Sequence, residues 1–89
     1  MRILVVDDRP DLRLSFLFML EACGFDVAEA ADGAEALRYL DKQPVDVLLT
    51  DLHMPGLDGL DLIVQLARYG SRRPRIIAMT GSERSAGMP

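Results

Sequence analysis

Four short apolar runs, each ending on a polar residue and separated from the next by enough chain for a helix, constrain this sequence more than any other feature. The first, Ile3-Leu4-Val5-Val6, stops at Asp7-Asp8. A continuous β-branched run of this kind suits a strand buried on both faces of a parallel sheet. The second, Phe25 to Glu29, alternates in part and suits an edge strand. The third, Val45 to Thr50, ends at Asp51, and the fourth, Ile76-Ile77-Ala78-Met79, ends at Thr80. Between them lie helix signals. Pro10 sits where a first helical turn tolerates it and Gly24 where a helix ends; Asp32-Gly33 opens a second helix that runs to Lys42, before Pro44. The turn-rich segment Met54-Pro55-Gly56-Leu57-Asp58-Gly59 leads to a third helix over Leu60 to Arg68, stopped by Gly70. Strands alternating with helices predict βαβ units with right-handed crossovers, an α/β fold on a parallel sheet.

The 89 residues are enough for one domain, and 49% hydrophobic against 27% charged residues supports a packed core. Ten Lys and Arg against fourteen Asp and Glu leave a net charge of −4, which argues against a nucleic-acid surface. The single cysteine, Cys23, provides neither an internal disulfide nor a multi-thiolate metal site, and a reducing cytoplasm is the expected location. The longest apolar stretch, Phe16 to Leu20, is far short of the roughly 20 residues of a bilayer span, and Met1 leads into strand residues with no signal-peptide pattern. Neither secretion nor membrane insertion is expected. Gly81 to Pro89 is polar and small, and reads as a chain end or linker.

In open parallel sheets the functional site lies outside the carboxyl ends of the strands. There this sequence puts Asp7 and Asp8, Asp51 and Thr80: three carboxylates and a hydroxyl. A single Asp at a strand end is often only a helix cap, as Asp8 or Asp58 could be. For the set, capping fails, because two apolar strands that lie side by side both end in carboxylates. Like charges so placed repel unless a cation sits among them, and an all-oxygen cluster suits Mg²⁺, which keeps several of its waters.

The Asp7-Asp8 pair, the run Asp51-Leu52-His53-Met54-Pro55-Gly56-Leu57-Asp58-Gly59, the Asp32-Gly33 helix start and the Met79-Thr80-Gly81 strand end resemble the receiver domain of bacterial two-component response regulators. The resemblance covers nearly the whole chain, so residues 1–89 are expected to form one receiver domain. It implies a flavodoxin-like doubly wound sheet ordered 2-1-3-4, C-terminally incomplete, with the family's fifth strand and helix missing. It makes Asp51 the phosphoacceptor, charged from a phosphohistidine of a sensor histidine kinase or phosphotransfer protein. It makes Asp8 and Asp51 direct Mg²⁺ ligands, with the backbone carbonyl of His53 as a third and Asp7 assisting through water, and has Thr80 hydrogen-bond a phosphoryl oxygen.

The chain departs from that pattern in one respect. The family carries a lysine at the end of its fifth strand, whereas the only lysine here is Lys42, at the tail of the second helix. A fragment of a longer regulator and a short form with impaired phosphorylation both fit, and a receiver-like interaction module that is never phosphorylated is the alternative function. An enzyme is disfavoured: a haloacid-dehalogenase-like phosphatase also uses a strand-end Asp with Mg²⁺ but needs a second Asp two positions on, where His53 stands. With no second histidine, His53 is read as a loop residue, and Arg72, Arg73 and Arg75 as a solvated loop.

Helix one is apolar on most sides. At about 100° per residue, Leu12, Phe16, Met19, Leu20 and Cys23 cluster as the expected core stripe, and Leu14, Leu17 and Phe18 fall away from it. That second patch is expected on the surface, where the resemblance suggests kinase docking. Strand four is apolar on both sides of its pleat yet last in the expected order, so its free edge is expected to favour a homodimer.

Overall fold

The computed structural model describes residues 1–52 and 59–79, with the side chains of 59, 60, 71 and 72 left aside. The elements alternate as expected: β1 (Arg2–Val6), α1 (Pro10–Ala22), β2 (Asp26–Ala30), α2 (Gly33–Lys42), β3 (Val47–Asp51), α3 (Gly59–Leu66), a 3₁₀ segment (Ala67–Arg72) and β4 (Arg75–Met79). All strand pairs are parallel, in the order β2-β1-β3-β4. This is the flavodoxin-like, doubly wound arrangement.

Local chemistry accounts for the element ends. Pro10 occupies the first turn of α1, and Gly24, just past the helix, adopts φ +93, which a side chain would resist. Asp32 caps α2 by accepting the Glu35 N–H at 2.8 Å, while the Glu35 carboxylate accepts the Ala31 N–H at 2.7 Å. The two residues together satisfy two donors that the helix start would leave open. The third helix stops earlier than its apolar pattern suggests, tightening after Leu66 into the 3₁₀ segment, where Gly70 takes φ +58. The third strand starts at Val47 rather than Val45. Val45 is buried ahead of it, and Asp46 is tied by Arg2 N–H to Asp46 Oδ2 at 2.7 Å and by Arg75 N–H to the Asp46 carbonyl at 2.9 Å.

One face of the sheet carries the main core. Leu4, Val6, Ala30 and Leu48 meet Ala36 of α2 and Leu62 and Leu66 of α3, all buried, with Val45 beside them. On the other face Ile3 and Val5 are buried, and α1 lies over β1 and β2. Register carries this face on through Val47 and Leu49 to Ile77, which is 54% exposed. Among the described residues β4 pairs only with β3.

Helix α1 corrects two expectations. Met19 is 54% exposed and Cys23 is exposed, although both were expected in the core stripe. The residues turned to the sheet are Leu12, Arg13, Phe16, Leu17 and Leu20, none fully buried. The stripe is thus rotated toward Arg13 and Leu17, and on this side the Arg13 guanidinium is bonded to the residue after β1 and to β2: Nη1 donates to the Asp7 carbonyl and Nε to Glu29 Oε1, each at 2.7 Å. Leu14 and Phe18 stand on the surface as expected, and Leu17 does not. Arg73 and Arg75 are exposed at the opening ends of the strands.

Candidate functional site

The register of the sheet builds the acidic centre. Val6 pairs with Ala30 on one side and with Thr50 on the other, so Asp7 and Asp51 leave adjacent strands at the same level. Asp7, Asp8 and Asp51 each offer a carboxylate oxygen, and these oxygens lie within 4.8 Å of one another. Their surroundings differ. Asp7 is 2% exposed, Asp51 half-buried and Asp8 open to solvent.

Backbone bonds fix the first of the three. The Asp7 N–H donates to the Ala30 carbonyl at 3.2 Å, continuing the β1–β2 ladder past its end, and Asp7 Oδ1 accepts the Arg9 N–H at 3.0 Å. Burial pushes the Asp7 carboxyl above the usual carboxylate range; the Arg9 N–H works against this, and the charges of Asp51 and Asp8 add to the rise. Below Asp51, Thr50 is buried and its hydroxyl donates to the Asp51 carbonyl at 3.0 Å, while the Leu52 N–H donates to the Met79 carbonyl at 3.0 Å. The exit of β3 is therefore tied to β4 and braced from within its own strand. At such separations like charges cost of order a few kcal/mol per pair near a protein surface, less where water screens. A divalent cation removes that cost, and three carboxylate oxygens on rigid strand ends are the donor set that a hard ion such as Mg²⁺ takes.

Of the residues expected from the sequence, Asp7, Asp8 and Asp51 converge. His53 and Thr80, with the turn-rich 54–58 segment and the 81–89 tail, lie outside the described residues. Sequence reasoning missed Arg13, which donates to the Asp7 carbonyl, and Glu29, which accepts from the same guanidinium. The signal was there: Arg13 is a lone cation between Leu12 and Phe16 on the sheet side of α1.

Comparison with known proteins gives the family. The family model of the response regulator receiver domain matches residues 3–88, and the chain belongs to that family. It is 42% identical to the sensor protein EvgS of Escherichia coli (strain K12) over 72 residues, 81% of this chain and 6% of that protein. It is 38% identical to the transcriptional regulatory protein PrrA of Mycobacterium tuberculosis over 90 residues, 98% of this chain and 39% of that one. The chain thus spans only a small part of the curated relatives it matches. Among solved structures, the response regulator protein TrrA of Thermotoga maritima, in complex with Mg²⁺ and BeF, superposes with a TM-score of 0.80 at 34% identity, covering 94% of this chain and 74% of that one. Among the described residues no helix is long and apolar enough to cross a membrane.

Proposed function

We propose that this chain is the phosphoacceptor module of a two-component phosphorelay, with Asp51 as the acceptor and Asp7, Asp8 and Asp51 as the protein side of a Mg²⁺ site. The observation that carries the reading is the convergence of the three carboxylates at the ends of β1 and β3. A carboxylate oxygen of Asp51 attacks the phosphorus of a phosphohistidine on a sensor histidine kinase or phosphotransfer protein; the P–N bond breaks and its electron pair returns to the imidazole nitrogen. Bound Mg²⁺ supplies the positive charge that lets one anion approach another. Asp7 and Asp8 would hold the metal, and the strand exits keep Asp51 in place, so the step is mainly positioning and charge neutralisation. In this reading the backbone carbonyl of His53 would be a further ligand to the metal, and the Thr80 hydroxyl would hydrogen-bond a phosphoryl oxygen. The module works in the cytoplasm, passes a signal rather than turning over a substrate, and makes no nucleic-acid contact of its own.

A Mg²⁺ titration followed by amide NMR shifts tests the metal site. Shifts at the ends of β1 and β3 in wild type, weakened at least tenfold in Asp8→Ala, are expected, and an identical response in both proteins contradicts it.

A further inference from the structure

We infer that Arg13 is a positioning residue for the acidic centre, acting on Asp8 through the Asp7–Asp8 peptide; this rests on the metal-site reading above. The Arg13 guanidinium makes two bonds at once, Nη1 to the Asp7 carbonyl and Nε to Glu29 Oε1, both 2.7 Å. Its side chain is 17% exposed, so this geometry is held against the sheet rather than left to a solvated arm. The Asp7 residue is thereby gripped at its three polar groups: N–H by the Ala30 carbonyl, carboxylate by the Arg9 N–H, and carbonyl by Arg13.

The last grip reaches Asp8. A peptide unit is planar, so a fixed Asp7 carbonyl fixes the plane that also contains the Asp8 N–H and Cα, and so sets the point from which the Asp8 side chain starts. Asp8 is exposed, and among the described residues no side-chain hydrogen bond holds it. Arg13 supplies from behind the order that Asp8 lacks in front. Outer partners of this kind commonly change metal affinity 10- to 100-fold when removed. Glu29 completes the device by orienting the guanidinium, a charge-assisted bond whose fork geometry lysine cannot copy.

The test is a MgCl₂ titration of the full chain by amide NMR, comparing wild type, Arg13→Met, Arg13→Lys and a control, Arg2→Met. The control removes the Arg2 bonds to Asp26, at the far end of the same β1–β2 pair. Arg13→Met should weaken Mg²⁺ binding about tenfold, Arg13→Lys should recover part of that loss, and Arg2→Met should bind as wild type does. In the metal-free proteins the Asp8 and Arg9 amides should move in Arg13→Met and stay put in Arg2→Met, a readout that needs no metal. Wild-type affinity and unmoved amides in Arg13→Met overturn the proposal, as does an equal loss in Arg2→Met, which would make the effect one of stability alone. Should Arg13→Met fail to fold, Arg13→Lys carries the test, and wild-type affinity in that variant overturns the proposal. A wild-type chain that ignores Mg²⁺ fails the metal-site reading instead, and the metal-free amides still decide whether Arg13 sets the Asp8 peptide.

Discussion

Val6 and Thr50 are register partners in adjacent parallel strands, and the next residue on β1 and on β3 is in each case an aspartate, Asp7 and Asp51. Two carboxylates distant in sequence thus share one end of the sheet because two strands end at one level. They differ in burial: Asp7 is enclosed, whereas Asp51 is only half-buried.

The burial of Asp7 predicts how the metal-free protein responds to pH. Its carboxyl is raised in the folded chain, first by burial, so the fold favours the protonated form. The stability tied to that group is fully present below the ordinary carboxylate pKa and is lost as pH rises through the raised folded value. Without Mg²⁺, Tm should therefore climb as pH is lowered from neutral into that window. Asp7→Asn should raise the metal-free Tm at neutral pH, flatten this dependence and weaken stabilisation by Mg²⁺. Calorimetry with and without Mg²⁺ checks all three, and a lower metal-free Tm in the variant contradicts the burial argument.

The outer side of α1 predicts a contact. Leu14 is 43% and Phe18 66% exposed, with Met19 beside them, an apolar patch on the helix that leaves the acidic centre. Leu14→Glu with Phe18→Glu should slow transfer from a phosphohistidine donor at least tenfold and leave labelling by a small phosphodonor unchanged. Exposed substitutions of this kind cost little stability, about 0.5 kcal/mol each. Unchanged transfer and unchanged oligomeric state together would show that the patch has no partner.

The edge at β4 predicts self-association. Among the described residues its outer side pairs with no strand, and Ile77 and Ala78 are exposed on opposite faces. Beyond Arg75 the strand is apolar, and such edges recruit further strands. Sedimentation should show concentration-dependent dimers, which Ile77→Lys suppresses. A monomer at high micromolar concentration would mean that the edge is protected.

The strands and the acidic centre were legible because each rests on a local signal: an apolar run such as Ile3 to Val6 stops at a carboxylate, and βαβ topology brings the stops together. The face of α1 was not legible. Leu12, Leu14, Phe16, Leu17, Phe18, Met19 and Leu20 surround most of the helix, so apolar periodicity cannot choose a side. The observed side is the one on which Arg13 reaches the Asp7 carbonyl and Glu29, with Leu17 half-buried and Met19 and Cys23 exposed. Where a helix is apolar on most sides, its one basic residue, here Arg13, is the better guide to its orientation.

Phosphoryl incorporation from a small-molecule phosphodonor, in wild type and Asp51→Asn, with and without Mg²⁺, tests the central claim most directly. Wild type should take up label only with Mg²⁺, and Asp51→Asn should take up none while keeping its fold. Label retained in Asp51→Asn would contradict the assignment of the acceptor, and a wild-type chain that takes no label would contradict the phosphoacceptor reading in favour of an interaction module.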